Sequence, residues 1–242
     1  MSASEAEHLA FRVEHATKAV GRSGTVIGLC GKDCVILAVE KINFSKLYED
    51  DAARRIFTID SSIGMAAAGE WADAVVVADI ARQEALTYRK QHEHPVPLKY
   101  LTDRVAGFIE AHIQCLVIRP FEVSIVLASW SEGKGPQLYQ IEPSGVFSKY
   151  HACACGKAKH EARNAMMELS RDMETEELVK SAGAVIYKVH DARNDTNFVF
   201  EMGMVGKATN GRLCINPAEV TEMSRMAGAA AREKDDSDDQ FN

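Results

Sequence analysis

The sequence predicts an α+β protein in which layers of strands and helices pack on one another. Short β-branched runs alternate with helical stripes, so that blocks of strands are separated by pairs of helices. Turn signals inside the strand blocks are typical of antiparallel hairpins. No polar or Pro/Gly-rich linker and no repeat divides the 242 residues. We therefore expect residues 1–231 to form one domain.

The first half of the chain is predicted to hold one helix, two strand pairs and two longer helices. Ser4 and Glu7 fit a capping box that opens a helix over residues 4–20. The strands follow at 25–30, 35–40, 56–60 and 63–68, and the longer helices at 71–91 and 98–116.

The second half repeats this alternation. Strands are predicted at 123–127, 137–141, 198–204 and 212–215, with one or two further strands over 146–154, and helices at 158–169, at 178–189 and from 217 onward. Asn216 is the expected cap of the last helix, with Pro217 at its first position. Residues 232–242 are polar and acidic, and we predict that they are disordered.

Composition excludes several classes of protein. Hydrophobic residues make up 46% of the chain and charged residues 26%, which is ordinary for a folded protein. The net charge of −7 argues against nucleic-acid binding, because binding to phosphate backbones depends on clustered Lys and Arg. No stretch approaches the length of an apolar membrane span, and no signal peptide is visible. We expect the six cysteines to be reduced.

Two places in the sequence invite a chemical interpretation. Cys153 and Cys155 lie between two histidines, but zinc prefers wider cysteine pairs with a second pair elsewhere, so buried thiols are the favoured interpretation. Thr25 follows Gly24 at the start of a strand, where self-cleavage would expose a threonine whose α-amine acts as base. Such a site also needs a lysine near Ile56, and the sequence has arginine there instead. Both the catalytic and the structural interpretation of Thr25 stay open at this point.

Several motifs in order resemble one family, the alpha-type, non-catalytic subunits of the 20S proteasome. The alpha signature Phe-Gln-Val-Glu-Tyr-Ala-x-x-Ala-Val is similar to residues 11–20, with Arg12 and His15 as departures. Further matches are Val39-Glu40-Lys41, Gly69 with Asp73, Arg119-Pro120-Phe121-x-Val123-Ser124, Pro143-Ser144-Gly145 and Ala154-x-Gly156-Lys157. The similarity covers nearly the whole chain.

The resemblance implies a four-layer α-β-β-α sandwich of the N-terminal-nucleophile hydrolase type. It implies a ring subunit that has no catalytic residue, cofactor or metal and takes part in ubiquitin-dependent and ubiquitin-independent protein degradation. Its implied partners are neighbouring alpha subunits, beta-ring subunits, the regulatory particle or other activators, and assembly chaperones, in cytoplasm and nucleus. The rival hypotheses are a catalytic beta-type threonine peptidase processed before Thr25 and a free-standing binding protein of the same fold.

Arg55 is the one site residue that the resemblance suggests. It stands where active beta subunits have their lysine, and the corresponding basic residue of alpha subunits lines pockets that receive activator C-termini. A charge-assisted pair with such a carboxylate is one role, and a structural salt bridge is the other. The family's Tyr-Asp-Arg and Ser-Pro-x-Gly-Arg elements do not precede Phe11, which leaves a part in the axial gate open.

Overall fold

Two antiparallel sheets lie face to face in the computed structural model of the chain, and helices cover the outer face of each. The structure describes residues 3–42, 47, 49, 52–115, 117–190 and 198–239, with side chains from residue 7 to residue 232 of these. The predicted α+β fold class, with layers of helix, sheet, sheet and helix, is confirmed.

The first sheet joins strands from both ends of the chain. Its strands are Val26–Cys30 (β1), Cys34–Ile42 (β2), Ala152–Cys155 (β8), Phe198–Gly206 (β9) and Cys214–Ile215 (β10). They lie in the order β10-β9-β2-β1-β8, and every neighbouring pair is antiparallel. The predicted hairpin between β1 and β2 is therefore confirmed, and it forms the centre of this sheet.

The second sheet uses the strands in the middle of the sequence. Its strands are Ile56–Asp60 (β3), Ile63–Gly69 (β4), Val123–Ser131 (β5), Gly135–Ile141 (β6) and Phe147–Tyr150 (β7). They follow sequence order across the sheet, all antiparallel. The run predicted over 146–154 divides between the two sheets, since β7 belongs to the second and β8 to the first.

The helices supply the outer layers. They are Ala3–Val20 (α1), Trp71–His92 (α2), Leu98–Gln114 (α3), Lys159–Met167 (α4), Thr175–Val189 (α5) and Ala218–Asp239 (α6), with a 3₁₀ turn at Lys207–Thr209. Helices α2 and α3 bury their apolar stripes against the second sheet, and α4 and α5 bury theirs against the first. None of the helices in the described part of the chain is long and apolar enough to cross a membrane.

Strand β2 shows why the sheets are sandwiched. Val35, Leu37 and Val39 point into the layer between the sheets, while Ile36 and Ala38 point toward the helices. Successive side chains of a strand face opposite sides of the sheet, so apolar residues at every position require cover on both faces. The β-branched run that predicts this strand therefore also fits its place in a four-layer protein.

The C-terminal helix departs from the sequence-based expectation. It continues to Asp239, so the prediction of disorder from residue 232 is wrong as far as that residue. Arg232, Glu233 and Lys234 have good helix propensity, and extending an existing helix needs no new nucleus. Residues 240–242 lie outside the described residues.

The start of this helix also differs. Asn216 does not cap it, because its Oδ1 accepts a hydrogen bond from the Met202 N–H at 2.8 Å. The Asn216 N–H donates in turn to the Met202 carbonyl at 2.7 Å, so Asn216 pairs with β9. The helix begins at Ala218, and the Pro217 carbonyl accepts from the Thr221 N–H at 2.9 Å.

A close approach of α5 and α6 makes one glycine indispensable. A Cβ atom on Gly183 would lie 1.9 Å from the Ser224 carbonyl oxygen. We expect Gly183→Ala to lower the free energy of unfolding by about 2–3 kcal/mol, because the two helices must move apart. The matched control is Gly107→Ala in α3, where a Cβ would meet nothing within 4 Å. It should raise stability by up to about 1 kcal/mol. Equal urea midpoints for the two variants would contradict this account of the helix contact.

Candidate functional site

Thr25 is buried and held inside the chain. Its N–H donates to Glu40 Oε2 at 3.0 Å, and its Oγ1 accepts from the Ala158 N–H at 3.3 Å. The side chain is 0% exposed, so no substrate carbonyl can reach the hydroxyl in this arrangement. A Cβ on Gly24 would lie 1.8 Å from the Glu40 carbonyl oxygen, which explains the Gly-Thr junction by close backbone packing.

Glu40 ties this junction to the end of α5. Its carboxylate is buried, and its Oε1 lies 2.6 Å from His190 Nδ1. The His190 ring stacks on Phe198 with a centroid separation of 4.3 Å. Both carboxylate oxygens of Glu40 therefore have a partner, as a buried carboxylate requires. Glu40 stabilises the intact Gly24–Thr25 peptide and is not arranged as a free base.

Arg55 directly precedes β3 and points across the end of β4. Its Nη1 donates to the Gly69 carbonyl at 2.6 Å, and none of the carboxylates in the described ranges forms an ion pair with it. Burial lowers the pKa of Arg55, and the carboxylates of Glu70 and Glu201 act in the opposite direction. A guanidinium nevertheless stays protonated at neutral pH.

Glu201 on β9 fixes the backbone that presents Arg55. Its two carboxylate oxygens accept hydrogen bonds from the Arg55 N–H at 3.0 Å and the Ile56 N–H at 3.1 Å. Burial raises the pKa of Glu201, while these two backbone bonds lower it. A buried carboxylate of the first sheet thus holds the start of a strand in the second.

The side chain of Arg55 lines a cavity of about 520 Å³ at the end of the sandwich. We call it the Arg55 cavity; the end of α1 and residues of β2 and β4 complete its wall. Its charged lining residues are Arg22, Lys41 and Arg55 together with Glu40, Glu70 and Glu122. Basic and acidic residues are therefore equal in number among these charged lining residues.

The family profile for proteasome subunits matches residues 20–205. The chain belongs to the proteasome subunit family. It is 58% identical to proteasome subunit alpha type-3 of Drosophila melanogaster over 230 residues, covering 95% of this chain and 91% of the relative. It is 36% identical to alpha type-3 of Oryza sativa subsp. japonica, covering 94% and 92% of the two chains. The proteasome subunit alpha of Thermococcus sibiricus is 38% identical, with 74% and 68% covered.

These matches confirm the resemblance to alpha-type proteasome subunits, and the layered fold is the α-β-β-α sandwich of the N-terminal-nucleophile hydrolase type. Within the family, several sequence features predict similarity to alpha-type subunit 3, which the named relatives confirm. These features are residues 45–49, Val189-His190-Asp191, Thr209-Asn210-Gly211-Arg212 and the acidic C-terminus. Residues 45, 46, 48 and 191 lie outside the described residues.

The two departures from the alpha signature both contact the segment after α3. Arg12 Nη2 donates to three carbonyl oxygens, those of His112, Cys115 and Ile118, at 3.0, 2.9 and 2.6 Å. His15 Nδ1 lies 3.5 Å from the Glu122 carboxylate. Because carbonyls at the end of a helix lack intrahelical partners and carry partial negative charge, a guanidinium is a suitable cap. Arg12 thereby attaches α1 of this proteasome subunit to α3.

An ion pair between Asp73 and Arg119 joins two of the sequence motifs quoted above. Asp73 in the first turn of α2 accepts from Arg119 Nη1 at 2.9 Å and from the Glu122 N–H at 2.8 Å. Side-chain hydrogen bonding to Asp73 raises the pKa of Arg119. The pair anchors the start of β5 to α2. It lies beside the Arg55 cavity, since Glu122 lines that cavity.

The cysteines that invited a metal interpretation are buried thiols. Burial raises the pKa of Cys153 well above its ordinary value and that of Cys155 to about 12. Over the described ranges no group of three or more His, Cys, Asp or Glu side chains could hold a metal ion.

The sequence points to Thr25 and Arg55 and includes Glu40 in a family motif, but it does not show that Glu40 and Glu201 hold the backbone at these two positions. Glu40 and Glu201 each interrupt an apolar strand, and both are only 2% exposed. An acidic residue in the middle of a buried strand must have partners, so these interruptions were the signal that could have found them.

Proposed function

We propose that the chain is a structural subunit of the alpha ring of the 20S proteasome, without catalysis of its own, at the seventh ring position. The observation that supports this most is the burial of Thr25, whose side chain is 0% exposed and whose N–H donates to the buried Glu40 carboxylate at 3.0 Å. A threonine nucleophile needs a free α-amine and access to substrate. The beta-type alternative would also need the lysine whose place Arg55 takes.

The partners follow from the same proposal. The chain would contact neighbouring alpha subunits and the beta ring, and would serve ubiquitin-dependent and ubiquitin-independent degradation in cytoplasm and nucleus. Regulatory particles or other activators and assembly chaperones complete the set, without nucleic acid. Native size measurement after gentle lysis tests it against a free-standing binding protein. The expected species is a large assembly, and a lone 26.6 kDa chain would contradict the proposal.

The Arg55 cavity is the proposed docking site for the C-terminal carboxylate of an activator. Arg55 Nη1 is engaged with Gly69, while its Nε and Nη2 groups donate to no residue in the described ranges. A guanidinium with free donors on one edge suits bidentate carboxylate recognition. Glu40 is already hydrogen-bonded to His190 and to the Thr25 N–H, so it does not compete for the guanidinium of Arg55.

Replacement of Arg55 tests this docking site. We expect Arg55→Ala to weaken activator binding by about 10- to 100-fold, since a charge-assisted pair contributes roughly 1.5–3 kcal/mol. Binding of a purified activator to purified 20S particles, measured by titration, checks the loss. Assembly on native gels should stay intact. The matched control is Arg54→Ala, because Arg54 is exposed and does not line the cavity. Unchanged affinity in the Arg55 variant would remove Arg55 from the site.

A further inference from the structure

The Arg55 cavity is larger than a docked carboxylate needs. Its volume is about 520 Å³, which falls in the range of sites that hold small molecules. One water occupies about 30 Å³ in the liquid, so this space corresponds to roughly fifteen waters or more. A terminal carboxylate on Arg55 would fill only a small part of it. The rest of the wall is therefore available to the residues that precede the carboxylate.

Glu70 differs from the other two carboxylates of this wall. Glu40 is hydrogen-bonded to His190, and Glu122 lies 3.6 Å from Arg119 Nη1. Glu70 is exposed, precedes α2 without capping it, and forms no ion pair with a side chain of the described ranges. Its carboxylate is therefore available to a ligand.

Arg55 and Glu70 act on the same small volume. Arg55 Nη1 lies 2.6 Å from the Gly69 carbonyl, and Glu70 is the next residue, so its backbone begins within a few ångströms of the guanidinium. Burial lowers the pKa of Arg55, and the negative charge of Glu70 acts in the opposite direction. A carboxylate that binds Arg55 therefore meets the repulsion of Glu70, unless the ligand also brings a positive charge.

Trp71 adds an aromatic surface beside this charge. It is the first residue of α2, lines the cavity and is 43% exposed. Its indole Nε1 donates to the Arg54 carbonyl at 3.3 Å, which ties one edge of the ring to the segment that presents Arg55. A cation over the face of such a ring is attracted by the ring quadrupole. Glu70 and Trp71 thus favour the same kind of ligand group.

We propose that the Arg55 cavity selects C-terminal segments that carry arginine one or two residues before the free carboxylate. This proposal rests on the docking role of Arg55 given above and adds the chemistry of the partner. The terminal carboxylate pairs with Arg55, while the guanidinium of the ligand pairs with Glu70 and stacks on Trp71. Arginine suits this place better than lysine, because its planar fork binds a carboxylate through two hydrogen bonds and also stacks on aromatic rings.

Photo-crosslinking of peptides to purified 20S particles tests the proposal for this chain separately from the other subunits. Each peptide carries a photoreactive group at its N-terminus, and mass spectrometry measures the labelling of this chain against peptide concentration. The two residues before the last are arginine, lysine or citrulline, the uncharged isostere of arginine. We expect the arginine peptide to bind about 5- to 10-fold more tightly than the citrulline peptide, with lysine between them, because an exposed ion pair and a cation–π contact are each modest.

Glu70→Gln removes the charge and keeps the size of the side chain. In this variant the arginine and citrulline peptides should bind with nearly equal affinity. The citrulline peptide should also bind more tightly than it binds to the wild type, because its carboxylate no longer meets the repulsion of Glu70. Trp71→Leu should weaken binding of the arginine peptide about 3-fold. The matched control is Glu132→Gln, an exposed glutamate outside the cavity, which should leave every affinity unchanged.

Arg55→Ala and a peptide with a C-terminal amide separate the arginine preference from the docking role itself. Native gels show that each variant is assembled. If no peptide labels this chain saturably, or if neither change weakens the labelling, the docking role is wrong and the arginine preference is wrong with it. If both changes weaken the labelling but wild-type particles bind the arginine and citrulline peptides equally, the docking role holds and the arginine preference is overturned. A full preference for arginine in Glu70→Gln would overturn it as well.

Discussion

Glu201→Ala is expected to lower the free energy of unfolding by about 3–5 kcal/mol, because two buried backbone N–H groups lose their acceptor. Those donors belong to Arg55 and Ile56, at the point where the second sheet begins against β9 of the first. The substitution should also displace Arg55 and so weaken activator binding. Urea unfolding of the purified full chain measures the first effect, and activator titration measures the second.

Glu201→Gln is the matched control, since its Oε1 can still accept one of the two bonds. We expect a loss of stability smaller than that of the alanine variant.

The stability contributed by Glu201 should also depend on pH. Burial raises the pKa of Glu201 above its ordinary 4.5, so its carboxyl group stays protonated to a higher pH in the native protein than in the unfolded chain. The stability that this proton contributes is complete at low pH and is lost as the pH rises through the raised pKa. The difference in stability between wild type and Glu201→Gln should therefore narrow as the pH rises above the ordinary pKa of 4.5. A difference in stability that widens with pH would contradict a raised pKa of Glu201 in the folded protein.

A chain that begins at Thr25 is expected to be the other severe variant. It lacks α1, whose Ala16 and Val20 are buried and whose Arg12 caps the end of α3. Burial of Val20 alone is worth about 1.5–3 kcal/mol, so loss of the whole helix should cost about 3–5 kcal/mol. We expect this chain to be sensitive to proteolysis and absent from assembled particles on native gels.

A chain that begins at Leu9 is the control, because it keeps Arg12, Ala16 and Val20. It should fold and assemble like the full chain. If the Thr25 chain entered particles as efficiently as the Leu9 chain, α1 would be dispensable, as in a processed beta-type subunit. That result would contradict the proposal that the chain is an alpha-type subunit.

The layers of this fold could be predicted because each depends on local periodicity. The β-branched run of β2 and the apolar stripe of α3 both appear in the sequence with boundaries within a few residues of those observed. The division of residues 146–154 between two sheets could not be predicted, since only long-range pairing decides which sheet a short strand joins. The same limit explains Asn216, whose side chain pairs with Met202 instead of capping the adjacent helix.

The site could be predicted only in part. The resemblance suggested Arg55, but the partner of its guanidinium is a backbone carbonyl, that of Gly69, which no residue pattern reveals. The pairing of Glu40 with His190 joins residues 150 positions apart. Such contacts exist only once the two sheets have packed. The sequence therefore shows the unusual residue but does not show which residue it contacts.

Mass spectrometry of this chain from purified proteasomes treated with a covalent N-terminal-threonine inhibitor distinguishes an alpha-type subunit from a processed beta-type subunit. We expect an intact Gly24–Thr25 bond, no adduct on Thr25, and co-purification with other proteasome subunits. A mature chain that begins at Thr25, or an inhibitor adduct on that residue, would contradict this expectation.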